Sequence, residues 1–223
     1  MTARHRSTAE TGRPAPRLYL VTPRLADPES FSSALAAALG AGDIAAVLLR
    51  LEAADHDTLV GRIKAIAPAV QDTGAALLID GPPAIVRASG ADGAHLPHVT
   101  ALAEAIPRLK PDHIAGCGGL ESRHDAMTAG ELGADYVMFG EPDAQGGRAP
   151  SATVLERASW WAELFVAPCV AWAATLDEVG ALAAARADFV AIGNGDMLWT
   201  DSAGPAAIVA AALARLKVAE PVL

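Results

Sequence analysis

The side chains able to do chemistry stand where short apolar runs of this chain end. Arg24 follows the run RLYLVT (17–22), Arg50 and Glu52 close IAAVLLRL (44–51), Asp80 ends AALLID (75–80), and His98 follows GAHL (93–96). Leu48, Arg50 and Glu52 share one face by the two-residue period of a strand, so an inward-facing Arg50 and Glu52 both reach the mouth of whatever the strands enclose. An arginine there either touches an anionic ligand or pairs with a neighbouring carboxylate. Asp80 could serve as ligand or base, but its place before Gly81-Pro82 favours a helix cap. His95 and His98 flank the end of the fourth run, and a histidine beside a core is either a hydrogen-bonded packing group or a proton shuttle.

The later runs add backbone donors. Cys117-Gly118-Gly119 lets a ligand approach main-chain N–H groups closely, whereas Cys117 has no neighbouring cation in sequence to make it a thiolate. Glu141-Pro142-Asp143 leads into Gln145-Gly146-Gly147-Arg148, a loop able to close over a site with Arg148 as its charge. Gly193-Asn194-Gly195 follow the last run, where many barrels hold phosphate on N–H groups, although Asp196 beside them repels an anion. Trp160, Trp161 and Trp199 read as packing residues. There is no HExxH, CxxC pair, Walker loop or GxSxG, and scattered rim carboxylates are a weak signal for Mg2+.

Eight apolar runs of strand length must position these groups: 17–22, 44–51, 75–80, 93–96, 113–117, 136–140, 168–172 and 188–193. Ala-rich segments of helical spacing separate them. Two open with start signals, Asp27-Pro28-Glu29 and the capping-box arrangement Ser122 to Asp125. Strands without polar alternation suit a parallel sheet covered by helices, and eight such units in 223 residues predict a single-domain α/β fold, the (β/α)8 TIM barrel, over residues 17–223. Residues 1–16, rich in Arg, Ser, Thr and Pro, read as a flexible tail. The motif Ala-Asp recurs at Asp92, Asp135 and Asp188, with Gly90 and Gly133 placed as left-handed helix caps, so it marks helix-to-strand turns at the bottom of the barrel, away from the chemistry.

Composition narrows the partners. A net charge of −9, with no basic cluster beyond the tail, argues against a nucleic-acid or anionic-membrane surface while leaving room for a small anionic ligand. No run approaches the roughly 20 apolar residues of a membrane span. Cys117 and Cys169, far apart in apolar surroundings, fit a reducing compartment, which points to the cytoplasm. A small-molecule ligand is the expected partner, and a homo-oligomer is compatible with the sequence.

LYLVT (18–22), VLLRLE (47–52), LLID (77–80), GADGAHL (90–96), IAGCGG (114–119), GADYVMFG (133–140) and ADFVAIG (187–193) together resemble the thiamine phosphate synthase and thiazole tautomerase superfamily over residues 17–215. The resemblance implies a (β/α)8 barrel in which Mg2+ and basic side chains draw pyrophosphate from a pyrimidine methyl diphosphate, and a thiazole phosphate traps the resulting cation. Where that family carries Gln-x-Arg-x-Lys this chain has Leu48, Arg50 and Glu52. Asp80-Gly81 stand for Asn-Asp, Thr100 stands near the next aspartate, Gly118 for a serine, and Ala173-Ala174 for Gly-Gly. The usual Mg2+ carboxylates are thus replaced, no other cofactor is implied, and metal-dependent coupling is not expected. The tautomerase branch needs no Mg2+, and by that resemblance His124 is its shuttle candidate. Three readings stay open: an enzyme of this superfamily with Arg50, Asp80 and His98 at its mouth, a non-catalytic ligand-binding descendant, and an unrelated phosphate-binding barrel.

Overall fold

The computed structural model describes residues 14–143, 145–193 and 197–218. Eight strands alternate with helices: β1 Arg17–Leu25, α1 Ser32–Leu39, β2 Ile44–Leu51, α2 His56–Gln71, β3 Ala76–Asp80, α3 Val86–Ser89, β4 Gly93–Leu96, α4 Val99–Leu109, β5 Ile114–Cys117, α5 Arg123–Glu131, β6 Tyr136–Phe139, α6 Ser151–Leu164, β7 Cys169–Trp172, α7 Leu176–Ala184, β8 Phe189–Ile192 and α8 Pro205–Val218. Each strand pairs in parallel with the next and β1 pairs with β8, so the sheet closes into the predicted barrel. Most of the predicted tail, residues 1–13, lies outside the described residues.

Two apolar layers hold the barrel. The outward faces of the strands, among them Leu20, Val47, Leu77 and Val137, pack with Leu35, Ile63, Leu102 and Trp161 of the helices. The inward faces fill the lumen with Tyr19, Val21, Leu48, Leu78, Tyr136, Met138, Val170 and Trp172, a packed interior in which the mouth is the place left for a ligand. Small residues permit the large ones: a Cβ on Gly116 would fall 2.0 Å from the Tyr136 ring.

The Ala-Asp repeat has a common bonding pattern at the barrel floor. Asp92 accepts the Leu77 N–H at 2.7 Å, Asp135 the Ala115 N–H at 2.7 Å and Asp188 the Cys169 N–H at 2.8 Å, each with its side chain. The N–H of each aspartate donates to the carbonyl of the same partner residue. Each aspartate therefore clamps the start of the preceding strand and satisfies donors that the ladder would leave open. Asp43, just ahead of β2, does this differently, taking the Arg17 guanidinium at 2.6 and 2.8 Å.

Gly90 and Gly133 take the predicted left-handed turn, with φ of 78° and 91°. In the third copy Arg186 sits there at φ 66°, making the same N–H to carbonyl closure of the helix end (Arg186 to Ala183, 2.9 Å) that Gly133 makes to Gly130 (3.0 Å). A Cβ in this region costs about 1 kcal/mol, and the exposed Arg186 side chain has no bonding partner among the described residues. Arg186→Gly is expected to stabilise the protein by about that amount in urea denaturation; an unchanged or lower midpoint would show that the turn is unstrained.

Of the two start signals, Ser122 with Asp125 forms a complete capping box on α5, whereas Pro28 stands at the N-cap of the 3-10 turn Glu29–Phe31 and not inside a helix, with Asp27 accepting the Glu29 N–H at 3.0 Å. None of the described helices is long and apolar enough to cross a membrane.

Candidate functional site

Thr22 and Pro23 near the end of β1 set the geometry of the mouth. Pro23 has no N–H for the ladder, and the pairing with β2 shifts between Val21 and Arg24. The buried Thr22 hydroxyl takes over by accepting the Arg50 N–H at 2.9 Å. Beyond this bulge the Arg24 guanidinium donates to the Leu51 carbonyl at 3.0 Å and to Asp80 at 2.9 Å. Arg50 points inward, as the period requires, and its side chain is 16% exposed. It lies 3.4 Å from Asp80, 2.5 Å from Glu141, and with its guanidinium carbon 5.6 Å from the centre of the Trp172 ring.

From Arg50 a hydrogen-bonded chain runs down into the barrel. The second Glu141 oxygen is 3.0 Å from Nε2 of His95, Nδ1 of His95 is 2.9 Å from the Tyr136 hydroxyl, and that hydroxyl is 2.9 Å from the Tyr19 hydroxyl. An ionised carboxylate only accepts, so Nε2 carries a hydrogen; in the neutral ring Nδ1 then accepts from Tyr136, whose oxygen accepts from Tyr19. A proton added to the imidazole reverses the Tyr136 and Tyr19 hydroxyls without breaking the chain, which gives the lumen a place to hold one proton.

Electrostatics agree with that arrangement. Burial would raise the Glu141 carboxyl, but the facing His95 and Arg50 outweigh it and hold it below the ordinary glutamate value. Burial drives both tyrosines above the ordinary phenol value, so they act as neutral donors. Gly118 is what lets the chain form. A Cβ there would lie 2.1 Å from Glu141 Oε2 and 2.5 Å from His95 Nε2, so any side chain at position 118 competes with their contact.

Above this chain opens a cavity of about 780 Å3, lined by Arg24, Arg50, Asp80, His95, His98, Gly119, Glu121, Glu141, Arg148 and Arg157 among others. Several sequence expectations converge on it. His98 lines it while also capping α4, accepting the Ala101 N–H at 3.1 Å. Arg148 lines it too, but its guanidinium is held by Glu178 at 2.7 Å and the Trp172 carbonyl at 3.1 Å. Its loop closes on itself: the Asp143 side chain accepts the Gln145 and Gly147 N–H groups at 2.9 and 2.7 Å.

Other expectations are corrected by the geometry. Asp80 caps no helix, because the bulge in β1 delivers Arg24 to it and the 3-10 turn Pro83–Ile85 starts without a side-chain cap. Glu52 lies one residue past β2, exposed, and lines not the main cavity but a smaller one of about 250 Å3 that adjoins it at Arg24 and Asp80. His124 is exposed on the first turn of α5 and does not line the main cavity. Gly119, at φ 60°, and Gly193, at φ 136°, have packing reasons to be glycine: a Cβ would fall 1.9 Å from the Pro97 carbonyl and 2.0 Å from the Val21 carbonyl. Asn194, Gly195 and Asp196 lie outside the described residues. Cys117 is buried, which pushes its thiol up to about 12 and away from nucleophilic use.

Tyr136 and Tyr19 did not follow from the search of run ends, although the parity that found Arg50 applies to both; His95 and Glu141 stood at run ends in the sequence, but their contact with each other did not follow. A Mg2+ ion would need carboxylate oxygens open to it. Those of Asp80 and Glu141 face arginine and histidine, and no group of three or more His, Cys, Asp or Glu among the described residues is arranged to hold a metal. As they stand, Asp80 and Glu141 do not offer the ion a pair of free carboxylates.

A family model described as thiamine monophosphate synthase matches residues 18–195. The chain is 41% identical over 197 residues to the thiamine-phosphate synthase of Rhodospirillum centenum, covering 87% of this chain and 94% of that protein. It is 38% identical over 213 residues to the thiamine-phosphate synthase of Hyphomonas neptunium, covering 89% and 93%. Among solved structures, the thiamine phosphate pyrophosphorylase from Pyrococcus furiosus superposes with a TM-score of 0.76 at 20% identity over 93% of this chain and 98% of that one. A 3-hexulose-6-phosphate synthase gives 0.66 at 14% over 91% and 99%, so the likeness of folds spans different chemistries.

Proposed function

Because the chain belongs to the thiamine monophosphate synthase family, we propose that its rim cavity binds a small heterocyclic or phosphorylated molecule of the thiamine-precursor class and serves it by hydrogen bonding and proton movement, not by Mg2+-assisted release of pyrophosphate. The pairing of Arg50 with Glu141 carries this reading. Departing pyrophosphate must be met by positive charge that is not already neutralised, and here a carboxylate of the chain itself occupies the inward arginine. In this reading Arg24, Arg50, Asp80, His98 and Arg148 line the ligand, with Arg50 and Asp80 orienting it. His95 takes the shuttle role the resemblance gave to His124, returning its proton along Tyr136 and Tyr19. The ligand is a cytoplasmic small molecule, and neither nucleic acid nor membrane is a partner.

A second reading, the coupling reaction itself, is favoured by the 41% identical relative, a thiamine-phosphate synthase of which the chain covers 94%. The two separate in one experiment. Thermal shift with the pyrimidine and thiazole precursors should show ligand stabilisation that Mg2+ does not alter, and the pair together should yield no thiamine phosphate at ordinary turnover, roughly 1 per second or faster. Product at such a rate, dependent on Mg2+, would establish the second reading in place of the first.

A further inference from the structure

The arginines around the cavity differ in what already holds them. Arg24 faces Asp80, Arg50 faces Glu141 and Asp80, and Arg148 faces Glu178. Arg157, reaching in from α6, has no carboxylate within ion-pair distance among the described residues; its guanidinium donates to the carbonyls of Leu120 and Glu121, at 2.9 and 2.5 Å. Two carbonyl dipoles do not neutralise a full charge, and a guanidinium with five N–H donors has others left for a ligand.

The segment that Arg157 grips has donors of its own. Gly119, Leu120 and Glu121 follow β5 and line the cavity, and their N–H groups have no acceptor among the described residues, although Leu120 is only 5% exposed. Gly119 and Glu121 are exposed and Leu120 is buried, so these donors are open to water or to a ligand entering the cavity. Gly119 is left-handed, and successive N–H groups beside such a residue form the concave donor set that holds phosphate in many proteins. By pulling the Leu120 and Glu121 carbonyls to itself, Arg157 fixes this segment and adds the charge.

We propose that Arg157 and the N–H groups of residues 119–121 form an anion subsite of the cavity, taking the dianion of a phosphate monoester. It stands on the β5–α6 side of the mouth, apart from the Gly193 region where the sequence suggested a phosphate cradle. Glu121, which lines the same cavity, carries a charge that opposes an anion and keeps the affinity weak. Asp143 also lines it, but its carboxylate is engaged by the N–H groups of its own loop. The proposal shares with the functional reading only that the cavity binds ligand, so inorganic phosphate, which carries no heterocycle, tests it separately.

In a titration of the 15N-labelled full chain with inorganic phosphate, the largest amide shifts are expected at Gly119, Leu120 and Glu121. Arg157→Gln should weaken binding by about tenfold or more, the loss of a charge-assisted contact. Lys64→Gln, an exposed cation on α2, should leave it unchanged, and Glu121→Gln should tighten it. Absence of phosphate binding, shifts centred elsewhere, or Arg157→Gln binding like the parent would each overturn the proposal. The wild-type shifts decide it even if Arg157→Gln fails to fold. Failure of the thiamine precursors to bind, with phosphate still at residues 119–121, would overturn the functional reading and leave the subsite standing.

Discussion

Glu141→Leu is expected to destabilise the barrel by about 3–5 kcal/mol, because it leaves the Arg50 guanidinium buried with only Asp80 near it, at 3.4 Å, and strips the acceptor from His95 Nε2. Removing one member of a buried pair costs more than the pair contributes, so Arg50→Met with Glu141→Leu should recover most of the loss. The double variant thereby separates a charge effect from a packing effect. Acid gives a second check. The Glu141 carboxyl is held below its ordinary value, so its contribution is complete above that ordinary value, roughly pH 4.3, and fades as the pH falls through the depressed folded value. Urea denaturation of parent and Glu141→Leu should therefore differ fully at pH 7 and converge in strong acid. A gap that persists undiminished in acid would mean that the ionised carboxylate is not its source.

Gly118→Ser, which restores the residue type the family resemblance puts at that position, should break the His95–Glu141 contact. Its Cβ cannot coexist with a carboxylate oxygen at 2.1 Å and an imidazole nitrogen at 2.5 Å, and Glu141 has little freedom to retreat because Arg50 holds its other oxygen. The overpacking cost is about 1–3 kcal/mol. Ligand-induced thermal stabilisation should fall with it. Glu141→Ala removes the carboxylate half of the clash and leaves the imidazole half at 2.5 Å, so Gly118→Ser should cost less in the Glu141→Ala background than in the parent, the signature of two positions adapted to each other. A Gly118→Ser protein as stable as the parent would show that the chain of hydrogen bonds yields easily and that the glycine is incidental.

How far the sequence could be read depends on the range of the forces involved. The eight strands were legible because a parallel strand covered on both faces is an uninterrupted apolar run, a signal contained in four to eight neighbouring residues. Arg50 was legible by strand parity for the same reason. The partner of Asp80 was not, since it depends on a bulge at Thr22-Pro23 and so on a shift in pairing between two strands. Tyr19 and Tyr136 are polar groups at inward positions of otherwise apolar runs, and applying parity to every strand, not only to strand ends, would have joined them to His95. Glu141 ends the sixth apolar run but carries no mark of its partners, and Arg157 carries no mark at all. One follows a left-handed Gly140 and the other sits within a helix, and only the folded chain brings them to the mouth.

The floor clamps give the barrel a rhythm of two. Asp43 ties β2 to Arg17 of β1, Asp92 ties β4 to β3, Asp135 ties β6 to β5, and Asp188 ties β8 to β7. Each of these side-chain staples lies within an odd-even strand pair, while across the pair boundaries main-chain bonds join the floor, such as Ile114 N–H to the Asp92 carbonyl and Arg17 N–H to the Asp188 carbonyl, so by its side-chain staples the ring divides into four two-strand cassettes. A chain circularly permuted between cassettes, after β2, β4 or β6, inherits every staple on one continuous stretch of sequence, whereas a cut between β3 and β4 or between β5 and β6 turns a local closure into one that spans nearly the whole molecule. The same division marks where this barrel could exchange quarters or halves with a relative without rewriting its floor.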